Sequence, residues 1–133
     1  MANILVVDDS KLIAHVMHEK LEEAGHRVVA CGHDGHEGFA LYQEHLPDLV
    51  LLDITMPNRD GRDCLEDILG FDSNARVIMV SSIQESEIVD ACLKLGALEF
   101  IFKPLKLRDE AFVQSFLKTL DKALETDVRS AVA

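Results

Sequence analysis

The stretch LVLLDITMPNRDG, residues 49–61, gives the clearest indication of the architecture of this chain. Four apolar residues, Leu49–Leu52, run directly into Asp53, and turn-forming residues follow at Met56-Pro57 and Asp60-Gly61. A short apolar run bounded by such residues is typical of a strand covered on both faces, as in a parallel sheet. Asp53 is then the first residue beyond that cover, and the two turn signals are predicted to fold the loop away from it.

Strand-length apolar runs recur along the chain and alternate with segments of helical length. The strands are predicted at Ile4–Val7, Arg27–Cys31, Leu49–Leu52, Val77–Val80 and Glu99–Phe102. The helices are predicted at Lys11–Ala24, His36–Leu46, Asp63–Leu69, Glu85–Leu95 and Asp109–Glu125. Because a crossover helix returns the chain to start each strand in the same direction, this alternation predicts an α/β fold with a five-stranded parallel sheet. The expected architecture is flavodoxin-like and doubly wound, (βα)5, with strand order 2-1-3-4-5.

The composition favours one small acidic domain. The chain has 133 residues, is 48% hydrophobic and carries a formal net charge of −11. Such a charge repels a phosphate backbone, so we expect no direct binding to nucleic acid. No apolar run approaches the ~18–20 residues of a membrane span, so we expect no membrane insertion and a cytoplasmic location. The cysteines, Cys31, Cys64 and Cys92, are widely spaced and are interpreted as reduced core residues.

Polar side chains follow four of the predicted strands. Asp8 and Asp9 come after strand one, Asp53 after strand three, Ser81-Ser82 after strand four and Lys103-Pro104 after strand five. Ligands of doubly wound sheets bind outside the carboxyl ends of the strands, so these groups are expected to meet in one crevice. Carboxylates gathered there need a cation, and an octahedral Mg²⁺ accepts their oxygens together with a backbone carbonyl and waters.

Asp53 is the predicted nucleophile of this crevice. It stands alone on its loop, while Asp8 and Asp9 share the metal-anchoring position, and a carboxylate beside a metal can form an aspartyl-phosphate. A phosphoryl group brings roughly two negative charges, so its oxygens need a cationic side chain and hydroxyl donors. Lys103 and Ser81 are placed to supply both.

Four blocks of the sequence, in the same order and spacing, resemble the signature motifs of the bacterial response regulator receiver domain. They are ILVVDDS at 4–10, DLVLLDITMPNRDG at 48–61, VIMVSS at 77–82 and LGALEFIFKP at 95–104. The resemblance covers about residues 3–125 and is to the chemotaxis-type, single-domain regulators of two-component systems. It implies a receiver domain at residues 1–126 and a C-terminal tail, expected to be frayed, at residues 127–133.

The resemblance also implies the chemistry of the strand ends. A sensor histidine kinase or a histidine phosphotransfer domain would supply the phosphoryl group to Asp53. Mg²⁺, for which Mn²⁺ could substitute, would be bound by Asp8, Asp9, Asp53 and the backbone carbonyl of Thr55. Such a domain assists its own phosphorylation and dephosphorylation and turns over no separate substrate.

The remaining motif residues imply a switch. Ser81 would be the switch hydroxyl and Phe100 the switch aromatic, and the surface of helix four, strand five and helix five would bind a downstream protein. Receivers more often have threonine and tyrosine at these two positions, but serine keeps the hydroxyl and phenylalanine keeps the ring. Thr55 and Ile83 are expected to tune the lifetime of the phosphoryl group, Ile83 by hindering water. Loop and cis-peptide candidates are Pro57, Gly61 and Pro104.

Other functions remain open at this point. The chain could be a phosphorelay intermediate that passes its phosphoryl group to a histidine phosphotransfer domain, or a receiver excised from a longer regulator. A phosphatase of the haloacid dehalogenase type also forms an aspartyl-phosphate, but such enzymes resemble one another in an Asp-x-Asp pair, and Asp8-Asp9-Ser10 breaks that spacing. A flavodoxin-like cofactor carrier shares the topology, yet the chain has no tryptophan to stack a flavin.

Several of these residues also have purely structural interpretations. Asp9 could be only the N-cap of helix one, and Ser81-Ser82 could cap helix four. The pairs His33 with His36 and His15 with His18 are most simply surface residues, because no third ligand follows at metal-binding spacing.

Overall fold

The computed structural model describes residues 1–126 as a sheet of five strands with helices on both faces. The strands are β1 Asn3–Val7, β2 Arg27–Gly32, β3 Leu49–Leu52, β4 Val77–Ser81 and β5 Glu99–Phe102. The helices are α1 Lys11–Glu23, α2 Gly35–His45, α3 Gly61–Phe71, α4 Ser86–Leu95 and α5 Glu110–Glu125. The strand order is β2-β1-β3-β4-β5 and all neighbouring strands are parallel, which confirms the predicted doubly wound fold.

Strand β3 is buried on both faces of the sheet. Val50 and Leu52 pack into the apolar layer beneath α2, α3 and α4, while Leu49 and Leu51 pack into the layer beneath α1 and α5. All four side chains are 0% exposed. Because alternate residues of a strand point to opposite faces, only a continuous apolar run satisfies both layers. The strand is thus held firmly up to the residue that follows it, Asp53.

Helix α3 runs from Gly61 to Phe71 rather than from Asp63 to Leu69, and this part of the prediction was wrong. The Asp60 carboxylate accepts a hydrogen bond from the Asp63 backbone N–H at 2.9 Å. Asp60 is therefore the N-cap, and Gly61 opens the first turn instead of belonging to the loop. The Asp60-Gly61 pair, which was predicted to be a turn of the loop, instead marks the capped start of α3.

None of the other boundaries differs from the predicted one by more than one residue, and β3 and β5 have the predicted bounds. Helix α2 begins at Gly35 because the Asp34 carboxylate caps it by accepting from the Glu37 backbone N–H at 2.8 Å. It ends at His45, and Leu46 takes a left-handed backbone with φ 45°. Helices α1, α4 and α5 are each shorter by the cap residue that the periodicity had included, and β1, β2 and β4 are each one residue longer. A cap residue can continue the sequence pattern of its helix although it lies just outside the helix. Hydrophobic periodicity therefore does not distinguish cap residues from the terminal residues of the helix.

The predicted tail at residues 127–133 lies outside the described residues. Within residues 1–126, none of the helices combines the length and the apolar character needed to cross a membrane.

The cysteines occupy the packed interior, as expected for core residues. Cys64 and Cys92 are buried and Cys31 is half-buried, and all three are free thiols. Burial raises the pKa of the Cys64 thiol to about 12. This thiol is therefore protonated at neutral pH and is a poor nucleophile or metal ligand.

Candidate functional site

Strands β1 and β3 place two aspartates side by side at the carboxyl edge of the sheet. Val7 pairs with Leu52 in the parallel register, and the Asp53 backbone N–H donates to the Val7 carbonyl at 2.9 Å. Asp8 and Asp53 therefore follow immediately after paired residues. Asp8 is 0% exposed and Asp53 is 4% exposed. Burying two carboxylates next to each other costs free energy unless cations or hydrogen bonds compensate them.

Asp9 completes an acidic cluster with these two residues. Each of Asp8, Asp9 and Asp53 offers a carboxylate oxygen, and these oxygens lie within 4.8 Å of one another. Oxygen ligands on an octahedral Mg²⁺ lie about 3–4.2 Å apart, so the donor set needs only a small contraction to fit such an ion. Asp9 is exposed while the other two are buried, so one side of the cluster faces solvent. The residues present fit a hard divalent cation that keeps some of its waters.

Lys103 supplies the positive charge of the site. Its ammonium donates to an Asp8 oxygen at 2.8 Å and to an Asp53 oxygen at 3.2 Å, and its side chain is 13% exposed. The residue follows β5 directly, and its backbone N–H donates to the Ser81 carbonyl at 3.0 Å. The Lys103–Pro104 peptide bond is cis. The lysine thus bridges the two buried carboxylates from the end of β5, the outermost strand on that side of β3.

Backbone N–H groups fix the orientation of both buried carboxylates. One Asp53 oxygen accepts from the Ile54 N–H at 2.8 Å, and one Asp8 oxygen accepts from the Ser10 N–H at 2.9 Å. The second oxygen of each carboxylate faces the Lys103 ammonium. Both side chains are therefore held in a defined geometry before any ligand arrives.

The pKa values of the central pair reflect this crowding. Burial, and then the charge of Asp8, raise the pKa of Asp53, and they outweigh the opposing effects of Lys103 and of the Ile54 N–H. For Lys103, burial acts to lower the pKa, but the hydrogen bond to Asp8 and the charge of Asp53 outweigh it, so the pKa is raised. The ammonium stays protonated, and the ionised form of Asp53 carries a cost that a cation or a covalent bond to the carboxylate would relieve.

Removing the Asp53 charge is expected to change how stability depends on pH. With its pKa raised in the folded state, Asp53 holds a proton more tightly there than in the unfolded chain, so its contribution to stability falls as pH rises from about 4 through the raised pKa. Asp53→Asn should therefore be more stable than wild type at neutral pH without Mg²⁺, and this advantage should shrink on acidification. Urea unfolding of both proteins between about pH 4 and neutral pH measures the difference in their free energies of unfolding. A difference that does not change with pH would contradict the expectation.

The predicted switch residues lie on β4 and β5, the two strands beyond β3 in the sheet. Ser81 ends β4 and is 1% exposed, and its hydroxyl accepts from the Ile83 N–H at 3.3 Å. Phe100 pairs with Met79 across β4 and β5 and is half-buried against the layer beneath α4. Its ring centroid is 4.9 Å from that of Phe102, which is 43% exposed. The two rings therefore connect the interior to the surface of β5.

The loop after β3 carries the other predicted residues. Thr55 lies two residues beyond Asp53 and is exposed, and Pro57 is exposed farther along the loop. The Gly61 N–H donates to the Ile54 carbonyl at 2.8 Å and closes the loop. Gly61 also packs directly on the Asp53 carbonyl, because a Cβ added there would lie 1.8 Å from that oxygen.

The structural interpretations of two site residues do not hold. Ser10, not Asp9, caps α1, since its hydroxyl accepts from the Ile13 N–H at 3.2 Å. The N-cap position of α4 is Glu85 and has no side-chain cap bond, so neither Ser81 nor Ser82 caps that helix. Asp9 and Ser81 are thus free of these competing roles.

Sequence reasoning missed the histidine that contacts the site. The His33 ring nitrogen Nδ1 lies 2.9 Å from the Asp8 carbonyl oxygen. Because a carbonyl can only accept, Nδ1 donates. The available signal was the position of His33 directly after β2, the strand next to β1. His15 and His18 instead face Glu19 and Glu22 on α1, and among the described residues the only grouping with metal-binding spacing is Asp8, Asp9 and Asp53.

Comparison with known proteins agrees with this geometry. Residues 4–112 match the model of the response regulator receiver domain. The chain is 42% identical over 106 residues to protein CcdB of Bacillus subtilis, covering 80% of this chain and 88% of that protein. It is 39% identical over 119 residues to chemotaxis protein CheY of Bacillus subtilis, covering 89% of this chain and 97% of that protein. It also matches a chain of the crystal structure of the CheX-CheY-BeF3-Mg+2 complex from Borrelia burgdorferi with a TM-score of 0.85 and 36% identity, covering 93% of this chain and 90% of that one. The chain therefore belongs to the family of response regulator receiver domains.

Proposed function

We propose that this chain is a phosphorylation-activated signalling switch in which Asp53 accepts a phosphoryl group from a sensor histidine kinase or a histidine phosphotransfer domain. The observation that carries the proposal is the pairing of buried Asp53 with buried Asp8 beneath the Lys103 ammonium, at the solvent-facing acidic cluster. This arrangement gives a nucleophile, a cation site and a fixed positive charge at one strand edge. The receiver is taken as residues 1–126.

The transfer forms one bond and breaks one. An Asp53 carboxylate oxygen bonds to phosphorus while the bond from phosphorus to the donor imidazole nitrogen breaks, and the electron pair stays on that nitrogen. Asp8, Asp9, Asp53 and the Thr55 carbonyl would hold Mg²⁺ or Mn²⁺, and the ion supplies charge neutralisation for the phosphoryl oxygens when bound. The Lys103 ammonium and the Ser81 hydroxyl donate to those oxygens in the product.

The output is a shift between two conformations. The Ser81 hydroxyl exchanges its bond from the Ile83 N–H for the phosphoryl oxygens, and the loop after β4 closes over the site. Phe100 turns into the space that the loop vacates, and Phe102 follows because the two rings are in contact. The changed surface of α4, β5 and α5 then binds a downstream protein. The similarity to a CheY crystallised with CheX, BeF3 and Mg²⁺ supports an output of this kind.

A phosphorelay role is the second candidate within the same chemistry. A relay intermediate would return its phosphoryl group to a histidine phosphotransfer domain, and a receiver of a longer regulator would act on an attached domain. The haloacid dehalogenase interpretation is disfavoured because the family match covers residues 4–112. We propose that the chain does not turn over a separate substrate.

The test is incubation with acetyl phosphate and Mg²⁺ followed by intact mass measurement. Wild type should gain the mass of one phosphoryl group, and Asp53→Asn should gain none. Asp121→Asn is the matched control, because Asp121 is exposed on α5, and it should behave as wild type. No gain in wild type, or an equal gain in Asp53→Asn, would overturn the assignment.

Ile83→Ala is expected to shorten the life of the phosphorylated form. Ile83 is half-buried, and its backbone N–H bonds to the Ser81 hydroxyl, so the residue lies next to the switch hydroxyl. Removing three carbons from it opens a path for water to the phosphoryl group. The decay of phosphorylated protein after removal of acetyl phosphate measures the rate, with Ile88→Ala as a control for loss of packing in the same apolar layer. Decay as slow as that of wild type would contradict the role of Ile83.

A further inference from the structure

We name the turn between β2 and α2, residues 32–35, the β2–α2 corner. It makes hydrogen bonds to both the backbone N–H and the backbone carbonyl of Asp8. The Asp8 backbone N–H donates to the Gly32 carbonyl at 2.9 Å. The His33 ring Nδ1 donates to the Asp8 carbonyl at 2.9 Å. The position of His33 is itself fixed, because its backbone N–H donates to the Glu37 carboxylate at 3.0 Å. One corner therefore determines where the Asp8 main chain lies.

The same corner holds the loop that follows Asp53, residues 54–60, which we name the acceptor loop. The Asn58 side-chain amide donates to an Asp34 oxygen at 2.9 Å, and the Gly35 N–H donates to the Arg59 carbonyl at 2.7 Å. The contact at Gly35 is close, since a Cβ there would lie 2.3 Å from the Arg59 oxygen. Asn58 has a left-handed backbone with φ 66°, which turns its amide toward Asp34.

Both ends of this tie are anchored elsewhere. The second Asp34 oxygen caps α2 by accepting from the Glu37 N–H, so the carboxylate moves only with the helix. On the other side, the Arg59 guanidinium makes two hydrogen bonds to the Asp67 carboxylate of α3, at 2.7 and 3.0 Å. The acceptor loop is thus fastened between α2 and α3.

We infer that the β2–α2 corner is a positioning element that sets the gap between Asp8 and the acceptor loop, and with it the affinity of the acidic cluster for a divalent cation. The inference rests on the metal assignment of the proposed function, in which Asp8 and the Thr55 carbonyl face the same ion. His33, Asp34 and Asn58 are positioning residues, because His33 bonds to the Asp8 carbonyl and the Asp34 side chain bonds to that of Asn58 in the acceptor loop, while none of the three is assigned as a ligand of the ion. Removing a residue that hydrogen-bonds to a metal ligand typically weakens metal affinity by about 10–100-fold.

The test is Mn²⁺ binding to the full chain at fixed pH, with free Mn²⁺ measured by electron paramagnetic resonance. Asn58→Gly keeps the left-handed backbone accessible and removes only the amide, so the dissociation constant should rise about tenfold. Asn58→Asp should weaken binding at least as much, because two carboxylates then face each other. Adding Asp34→Asn to Asn58→Asp reverses the donor and the acceptor, and the new amide oxygen can still cap α2, so affinity should return to within about twofold of wild type.

Two controls separate positioning from general destabilisation. Asn74→Gly removes an exposed asparagine whose own backbone N–H, not its side chain, makes the turn bond to Asp72, and it should bind Mn²⁺ as wild type does. His33→Ala removes the bond to the Asp8 carbonyl and should also weaken binding. Unchanged affinity in both Asn58→Gly and His33→Ala, or no recovery in the reversed pair, would overturn the inference. No phosphodonor is present, so these results do not depend on whether Asp53 is phosphorylated.

Discussion

Replacing Gly61 by alanine is expected to destabilise the chain by about 4 kcal/mol and to abolish phosphorylation of Asp53. The added Cβ would lie 1.8 Å from the Asp53 carbonyl oxygen and 2.8 Å from the Ile54 Cα. Both neighbours are backbone atoms, so no side-chain rotation relieves the overlap. Either the first turn of α3 or the end of β3 must move, and the 2.8 Å bond from the Gly61 N–H to the Ile54 carbonyl is lost.

Gly70→Ala is the matched control for this substitution. Gly70 also lies in α3, but a Cβ there meets nothing within 4 Å. Alanine at this position should stabilise the chain by about 0.5–1 kcal/mol, because glycine loses more conformational freedom when a helix forms. Urea unfolding measures both changes, and intact mass after acetyl phosphate treatment reports the state of Asp53. A Gly61→Ala protein within about 1 kcal/mol of wild type would contradict the packing described for this turn.

Lys103→Met is expected to lower stability by about 3 kcal/mol in the absence of metal, with a fall in Tm of about 10 °C. Among the described residues, Lys103 is the only basic side chain in ion-pair contact with Asp8 or Asp53. Methionine keeps the length and the apolar stem but leaves two buried carboxylates uncompensated. The expected loss of stability lies at the low end of the values typical for breaking a buried ion pair. Asp53 can take up a proton, and the cluster is exposed to solvent at Asp9.

Mg²⁺ is expected to reverse this loss. The Lys103 ammonium contacts the same carboxylate groups that a cation would use, so its removal leaves a more negative site and tighter Mg²⁺ binding. Thermal unfolding with a chelator and with increasing Mg²⁺ measures both effects. Lys106→Met, an exposed lysine nearby, should change neither value by much. A Lys103→Met protein as stable as wild type without metal would show that the lysine does not compensate the pair.

The strand-end residues of the site could be predicted because they depend on local pattern. Apolar runs indicate where each strand ends, and parallel strands end at one edge, so Asp8 and Asp53 were expected together. The start of α3 was placed wrongly because Asp60-Gly61 has the composition of a turn, whereas the Asp60 side chain caps a helix there. Hydrophobic periodicity does not predict which backbone group a single side chain bonds to.

The alternation of strands and helices, and the polar residue that ends each site-forming strand, could be read from the chain alone. That the Lys103 ammonium bonds to Asp8 as well as to Asp53, and that the β2–α2 corner ties Asp8 to the acceptor loop, became visible only in the folded structure. Strand and helix patterns follow from neighbouring residues, so they are written in short stretches of sequence. Hydrogen bonds such as Asn58 to Asp34 depend on how separate elements pack, and a contact of this kind has no local signature in the chain.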